Sequence, residues 1–200
     1  MFSDLVLRIN YFQLPIKYFM KILLPLLVTV GTSLFAQKVY FTSKDFLSNN
    51  GQQVARIGTG IWYFSMELRN KIAIQDLNGN KSKIYKDSVW GYQNRFGKSF
   101  RSIDRTYSFQ IREKGSVYIY TLHHMYWDSR HFSVTADGKV YRLLKKNLIK
   151  KASDKPCMKA ILDKMKKDKI GLRKRIDGTN QYYLNKYIAE SGCNPFVESR

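Results

Sequence analysis

The stretch Tyr107–Leu122 reads Y-S-F-Q-I-R-E-K-G-S-V-Y-I-Y-T-L, and two patterns meet in it. Tyr107, Phe109 and Ile111 alternate with Ser108, Gln110 and Arg112, the two-residue period of a strand with one apolar and one polar face. Glu113-Lys114-Gly115-Ser116 turns the chain, and Val117–Leu122 is apolar or aromatic on both faces. Such a segment fits a central strand. A half-buried strand turning into a fully buried one marks the middle of an antiparallel sheet.

Working outward, Phe100–Ile103 follows the break at Gly97 and reads as another strand. Ile84–Gln93, carrying Val89-Trp90-Gly91-Tyr92, reads as one strand returning from the hairpin signal Asn78-Gly79-Asn80. Ile72 and Ile74 lie on the far side of that turn. In Ile61–Arg69, Trp62, Phe64, Met66 and Leu68 fall on one face of a further strand. Val39–Thr42 opens the block, with a short capped turn at Ser43–Leu47 and a loop at Asn49-Asn50-Gly51. On the other side, Phe132–Thr135 and Val140–Leu143 flank Asp137-Gly138 as a last hairpin. Six to eight short strands at near-regular spacing predict a curled, sandwiched or barrel-like antiparallel sheet over 37–143.

After residue 143 the period changes. Met158, Ile161, Leu162 and Met165 lie at i, i+3, i+4 and i+7, the stripe of an amphipathic helix over Pro156–Lys169. Ser153 or Asp154 suits its N-cap and Gly171 its stop. A second helix runs from Thr179 to Glu190, with Tyr183, Leu184, Tyr187 and Ile188 inward and Gly192 after its end. Neither would stand alone in water, so both should dock on the sheet. Strands followed by two or three helices over 144–200, in one domain, make the fold class α+β.

The chain carries 35 basic and 15 acidic residues, a net charge of +20. Residues 1–36 form a leader of the secretory type. From Met20, the natural start, Lys21 supplies a positive end and Ile22–Phe35 an apolar run. Ser33 and Ala36 supply small side chains ahead of a cut between Ala36 and Gln37. The run is shorter than the ~20 apolar residues of a membrane-spanning helix, and Pro25 and Gly31 interrupt it. Cutting there leaves 32 basic and 14 acidic residues, still +18. Such a field favours anionic partners. Export points to the periplasm, outer envelope or extracellular space, where Cys157 and Cys193 are expected to pair. The chain has no C-x₂-C pattern, which leaves a structural zinc or redox site without support.

The S-V-W-G-Y-Q run at Ser88–Gln93, the hairpin Glu113–Tyr120, the L-K-K-N-L of Leu144–Leu148 and the leader ending F-A-Q resemble a family of uncharacterised exported proteins of Bacteroidota-type bacteria. The resemblance covers most of the mature chain and implies an envelope setting. It carries over no functional residues.

All three histidines, His123, His124 and His131, fall within nine positions beside Asp128. Imidazoles and a carboxylate are metal ligands, so His123, Asp128 and His131 are the candidates for a metal site. Neighbours on a strand point to opposite faces, which separates His123 from His124, and an ordinary structural role is the stronger expectation. No elbow motif accompanies Ser99, Ser102 or Ser108, and neither a P-loop nor a dinucleotide fingerprint occurs, so no cofactor is expected. Basic and aromatic residues interleave in Trp90–Arg105 and Tyr118–Arg142, as in single-strand nucleic-acid binders. Export and the demands of a core argue against that reading, as they would not if the rings proved exposed. The expected function is that of a non-catalytic envelope binding or structural protein. Its partner is a lipid phosphate, an acidic glycan or another envelope protein, with peripheral membrane contact through the lysines of 145–175. A secreted enzyme and a nucleic-acid-binding barrel are the alternatives.

Overall fold

Gln37–Arg200 forms one compact unit. The computed structural model describes residues 36–58, 70–103, 105–123, 128–152, 156–192 and 196. In chain order the strands are β1 (Gln37–Tyr40), β2 (Gln52–Val54), β3 (Arg56–Ile57), β4 (Lys71–Gln75), β5 (Lys81–Tyr85), β6 (Gly91–Gln93), β7 (Ser99–Ile103), β8 (Tyr107–Lys114), β9 (Tyr118–His123), β10 (Asp128–Ser133) and β11 (Tyr141–Arg142). The helices are α1 (Ser43–Leu47), α2 (Lys145–Lys151), α3 (Pro156–Lys167) and α4 (Tyr183–Glu190). Eight strands form an antiparallel sheet in the order β11-β10-β9-β8-β7-β6-β1-β2, and β3-β4-β5 form a second, three-stranded sheet. The α+β class holds, with three helices after the sheet.

Cross-strand register sorts the large sheet into two faces. Val39 opposes Tyr92, Tyr92 opposes Phe100, and Phe100 opposes Gln110. Gln110 in turn opposes Thr121, whose strand neighbour two back, Ile119, opposes Phe132. All of these share one face. Its β1-β6-β7 half packs Val39, Val54, Tyr92 and Phe100 against Ile57 and Ile72 of the small sheet. Its β9-β10 half packs Ile119 and Phe132 against Leu148 of α2, Ile161 and Met165 of α3, and Leu184 and Ile188 of α4. Each fully buried aliphatic side chain there contributes about 1.5–3 kcal/mol, which is what holds the helices in place.

The other face is concave. Phe46 of α1 stacks on Trp90 at 4.3 Å between ring centroids, and Trp90 Nε1 donates to Ala136 O at 3.3 Å. Ser43 Oγ also meets Asp137 Oδ2. The segments leaving β1 and β10 therefore touch, although four strands separate β1 from β10 in the sheet order. Only a curled sheet allows this. Arg101 is buried in the hollow, donating to Tyr120 Oη at 3.3 Å and Ser133 Oγ at 3.4 Å.

Three elements differ from expectation, the first being α4, which begins at Tyr183 and not at Thr179. Ile84–Gln93 is not one strand: a 3-10 turn at Lys86–Ser88 divides it, so β5 serves the small sheet and β6 the large one. Fully buried Lys86 anchors the break by donating from Nζ to Thr106 O at 3.1 Å. At the end of α3, the left-handed residue is Lys169 (φ 56), ahead of Gly171, and Ile170 N closes the last turn onto Met165 O. The expected strand Ile61–Arg69 and the caps Ser153 and Asp154 lie outside the described residues.

Candidate functional site

Beside the helix-covered core, polar side chains occupy the same face of the sheet. β10 continues back to Asp128, which places it directly opposite His123. His123 is thus a strand residue, not part of a loop. Its Nδ1 lies 2.8 Å from Asp128 Oδ1 and its Nε2 2.8 Å from Gln110 Oε1. Both ring nitrogens thus face side-chain oxygens, one on each neighbouring strand. Arg112 Nη2 also approaches Nε2, at 3.4 Å, but the shorter contact decides the geometry, and the ring serves as a strut between Asp128 and Gln110.

Arg112 lies two residues from Gln110 on β8 and shares its face by alternation. The β8–β9 register shifts between Ile111 and Glu113, so that Glu113 pairs with Ile119 and joins this face too. Arg112 Nε donates to Thr121 Oγ1 at 3.1 Å, on the face that carries Gln110. Arg130, opposite Thr121, completes the row and lies 3.6 Å from Asp128.

Positive charge is in excess here. Burial lowers the pKa of Arg112 below its usual value; the fields of Arg130 and Arg175 add to the lowering, while Tyr182 and Asp128 oppose it. Arg130 Nη1 is buried without a hydrogen-bond partner. Of the two nearest carboxylates, Asp128 is shared between His123 and Arg130. Glu113 accepts from Tyr182 N at 2.9 Å, and burial raises its pKa, only partly offset by hydrogen bonds from Tyr182 and Asn185. Asn185 in turn pairs with both backbone groups of Val117, at 2.9 and 3.0 Å, as an added strand would. That fixes the start of α4, and the loop before it, against β8. Between β8, the β6–β7 turn and this loop lies a cleft of about 340 Å³ lined by Lys98, Ser99, Gln110, Arg112, Glu113, Lys114 and Asn180, among others. A second cleft, of about 530 Å³, lies on the small sheet between Arg56, Ala73, Gln75, Lys81 and Lys83.

The candidate metal ligands are divided. His123 and Asp128 come together, while His131 sits on the concave face with its ring edge-on to Phe109 at 4.9 Å. Among the described residues no group of three His, Cys, Asp or Glu side chains could hold a metal ion. His124 lies outside them. Of the rings interleaved with cations, Trp90, Tyr92, Phe100, Phe109 and Tyr120 are buried, which counts against base stacking. Cys193 is outside the described residues, and with it the expected pairing to Cys157. No described helix is long and apolar enough to cross a membrane. In the sequence Arg112 groups with Ser108 and Gln110 as a polar face, but nothing there shows that this face turns inward, with Ser108 and Gln110 buried, or that the bulge adds Glu113 to it.

Compared with known proteins, the chain matches no family model, no curated protein and no solved structure. The resemblance carried by Ser88–Gln93, Glu113–Tyr120, Leu144–Leu148 and the leader ending F-A-Q rests on those residues alone.

Proposed function

We propose that this chain is an exported, non-catalytic binding module of the cell envelope whose basic surface engages an anionic partner, a lipid phosphate or an acidic glycan. One observation carries the reading. Lys145, Lys146, Lys150, Lys151, Lys159, Lys164, Lys166, Lys167 and Lys169 are all exposed on the helical layer. The ion pairs found on that layer among the described residues are Lys145–Asp163 at 3.5 Å and Lys186–Glu190 at 3.7 Å. Asp168 is engaged by the Tyr187 hydroxyl. Most of this charge is therefore uncompensated within the fold. Exposed cations contribute about 1 kcal/mol each beside an anionic surface, so a few acting together suffice for reversible docking. The compact unit begins at Gln37, the residue after the expected cut, which supports an exported mature form.

The test is co-sedimentation with vesicles of anionic or of purely zwitterionic phospholipid. Binding to the anionic vesicles alone, released as salt rises from about 0.1 to 1 M and the screening length falls from about 10 to 3 Å, is expected. Equal binding to both compositions, or none to either, contradicts the reading for lipid. The same salt series on an immobilised acidic glycan decides the other partner.

A further inference from the structure

We propose that the tips of two hairpins, Asp76–Asn80 and Asn94–Lys98, form an interfacial anchor that lowers Leu77 and Phe96 into an anionic phospholipid bilayer. The proposal rests on the reading of an anionic lipid partner and names the end of the molecule that meets it.

The topology puts both tips at one end. Val54, the last residue of β2, opposes Gln37, the first of β1, and Lys38 opposes Gln93 at the foot of the second tip. Ala55 carries the chain across to β3, where Arg56 opposes Gln75 at the foot of the first tip. Gln37 ties this crossing down, donating from Nε2 to Ala55 O at 3.2 Å and accepting from Ile57 N at 2.9 Å. At the other end, the segments after β5 and β7 meet, because Lys86 Nζ donates to Thr106 O at 3.1 Å and Arg105 pairs with Asp87. The two hairpins therefore point the same way.

Each tip presents one large apolar side chain, Leu77 at 69 % exposure and Phe96 at 57 %. Single exposed side chains of this kind are ordinary, but these two share one end and stand on rigid turns. Asp76 Oδ1 accepts from Asn78 N and Asn80 N, and Asn94 Oδ1 accepts from Phe96 N and Lys98 N. A turn fixed from beneath loses little freedom when its tip is bound.

Charge chooses the partner. Arg56, Lys81, Arg95 and Lys98 are exposed at the feet and flanks of the tips, and none of them takes part in the ion pairs found among the described residues. The one carboxylate of these two turns, Asp76, is engaged by its own turn. Apolar tips in a cationic collar complement an anionic bilayer, with the tips at the boundary of headgroups and acyl chains and the cations among the phosphates. An acidic glycan would satisfy the cations and leave Leu77 and Phe96 in water. The compact unit also begins at this end, with Gln37 opening β1, so the chain enters it on the side the tips face.

The experiment places Leu77→Trp and Phe96→Trp separately in the mature protein and follows emission with two kinds of vesicle. One mixes phosphatidylglycerol with phosphatidylcholine, the other is phosphatidylcholine alone, and each is made with and without brominated acyl chains. Quenching of both introduced tryptophans by the brominated anionic vesicles, above that of the parent, is expected. In co-sedimentation, Leu77→Ala with Phe96→Ala should weaken binding by about tenfold per side chain. The urea midpoint of that double variant should stay at the parent's value, since neither side chain belongs to the core. Parent-like binding by the double variant, or unquenched tips on vesicles that do bind the protein, overturns the proposal and leaves the basic-surface reading to the helical lysines. Equal quenching by the zwitterionic vesicles overturns the choice of an anionic bilayer. A parent that binds neither composition overturns the lipid reading and the tips with it.

Discussion

At the scale of single residues, the polar island on the sheet shows how burial sets charge. Glu113 is the clearest case, because its carboxyl has a raised pKa, chiefly through burial, relative to the usual 4.5. A group whose folded pKa exceeds its unfolded one contributes stability that is fully present below the unfolded value. That contribution is lost as pH rises through the folded value. Glu113 thus favours the folded state in acid and ceases to do so on ionising. Glu113→Gln keeps an acceptor for the Tyr182 N–H and cannot ionise, so its urea midpoints should fall less than the parent's between about pH 4 and 7. Parallel pH profiles for the two proteins would refute this. Little of the island was legible beforehand. His123 and Asp128 were picked out by residue type, but their pairing depends on a register that only the assembled β9–β10 ladder fixes. Arg112 was legible as a polar-face neighbour of Gln110, but Glu113 was hidden by the bulge, and Gln110 and Thr121 carry no sequence signal of their own.

At the scale of elements, what the periods could encode was readable and what depended on tertiary handover was not. Met158, Ile161, Leu162 and Met165 are the buried residues of α3, as their spacing requires. Leu184, Tyr187 and Ile188 of α4 are buried as expected, but so is Asn185, whose role depends on the backbone of Val117. The strands β2 and β3 escaped notice because each is only two or three residues long and offers one buried apolar side chain. Ile84–Gln93 looked continuous because a break held by a buried lysine leaves no Gly or Pro to mark it. The W-G-Y run within it has a steric reason. A Cβ on Gly91 would stand 2.1 Å from Phe100 O, which is backbone and cannot swing aside. Gly91→Ala should therefore destabilise the β6–β7 pairing by about 1–3 kcal/mol, an overpacking cost, seen as a lowered denaturant midpoint. An unchanged midpoint would show that β6 shifts freely against β7. The two hairpins at Asp76–Asn80 and Asn94–Lys98 also proved to be built alike. In each, a Gln side chain donates to the carbonyl of a left-handed glycine, Gly79 or Gly97, while an Asx side chain accepts from the turn backbone.

At the scale of the whole molecule, the large sheet is a two-sided scaffold, with one face covered by the small sheet and the helices and the other curled around α1. The helices do two jobs at once, since the stripe that buries Ile161 and Met165 necessarily turns Lys159 and Lys166 outward. The basic exterior follows from the packing and from the scarcity of acids. The α+β order was legible because strand and helix periods are separated along the chain, whereas the curl was not, because it rests on Trp90 and Phe46 meeting the segment after β10. Export is the claim on which the partner depends, and the proposed Cys157–Cys193 bridge belongs to it. A bridge across that 36-residue separation would stabilise the fold by at most ~3–4 kcal/mol in the chain-entropy view. The most direct measurement is the intact mass of the protein from fractionated cells of its native host, with and without reduction. The account predicts an envelope or secreted species that begins at Gln37 and is lighter than its reduced form by the two hydrogens of one disulfide. A cytoplasmic species with an intact N-terminal leader and two free thiols would contradict it, and would return nucleic acid to the head of the candidate partners.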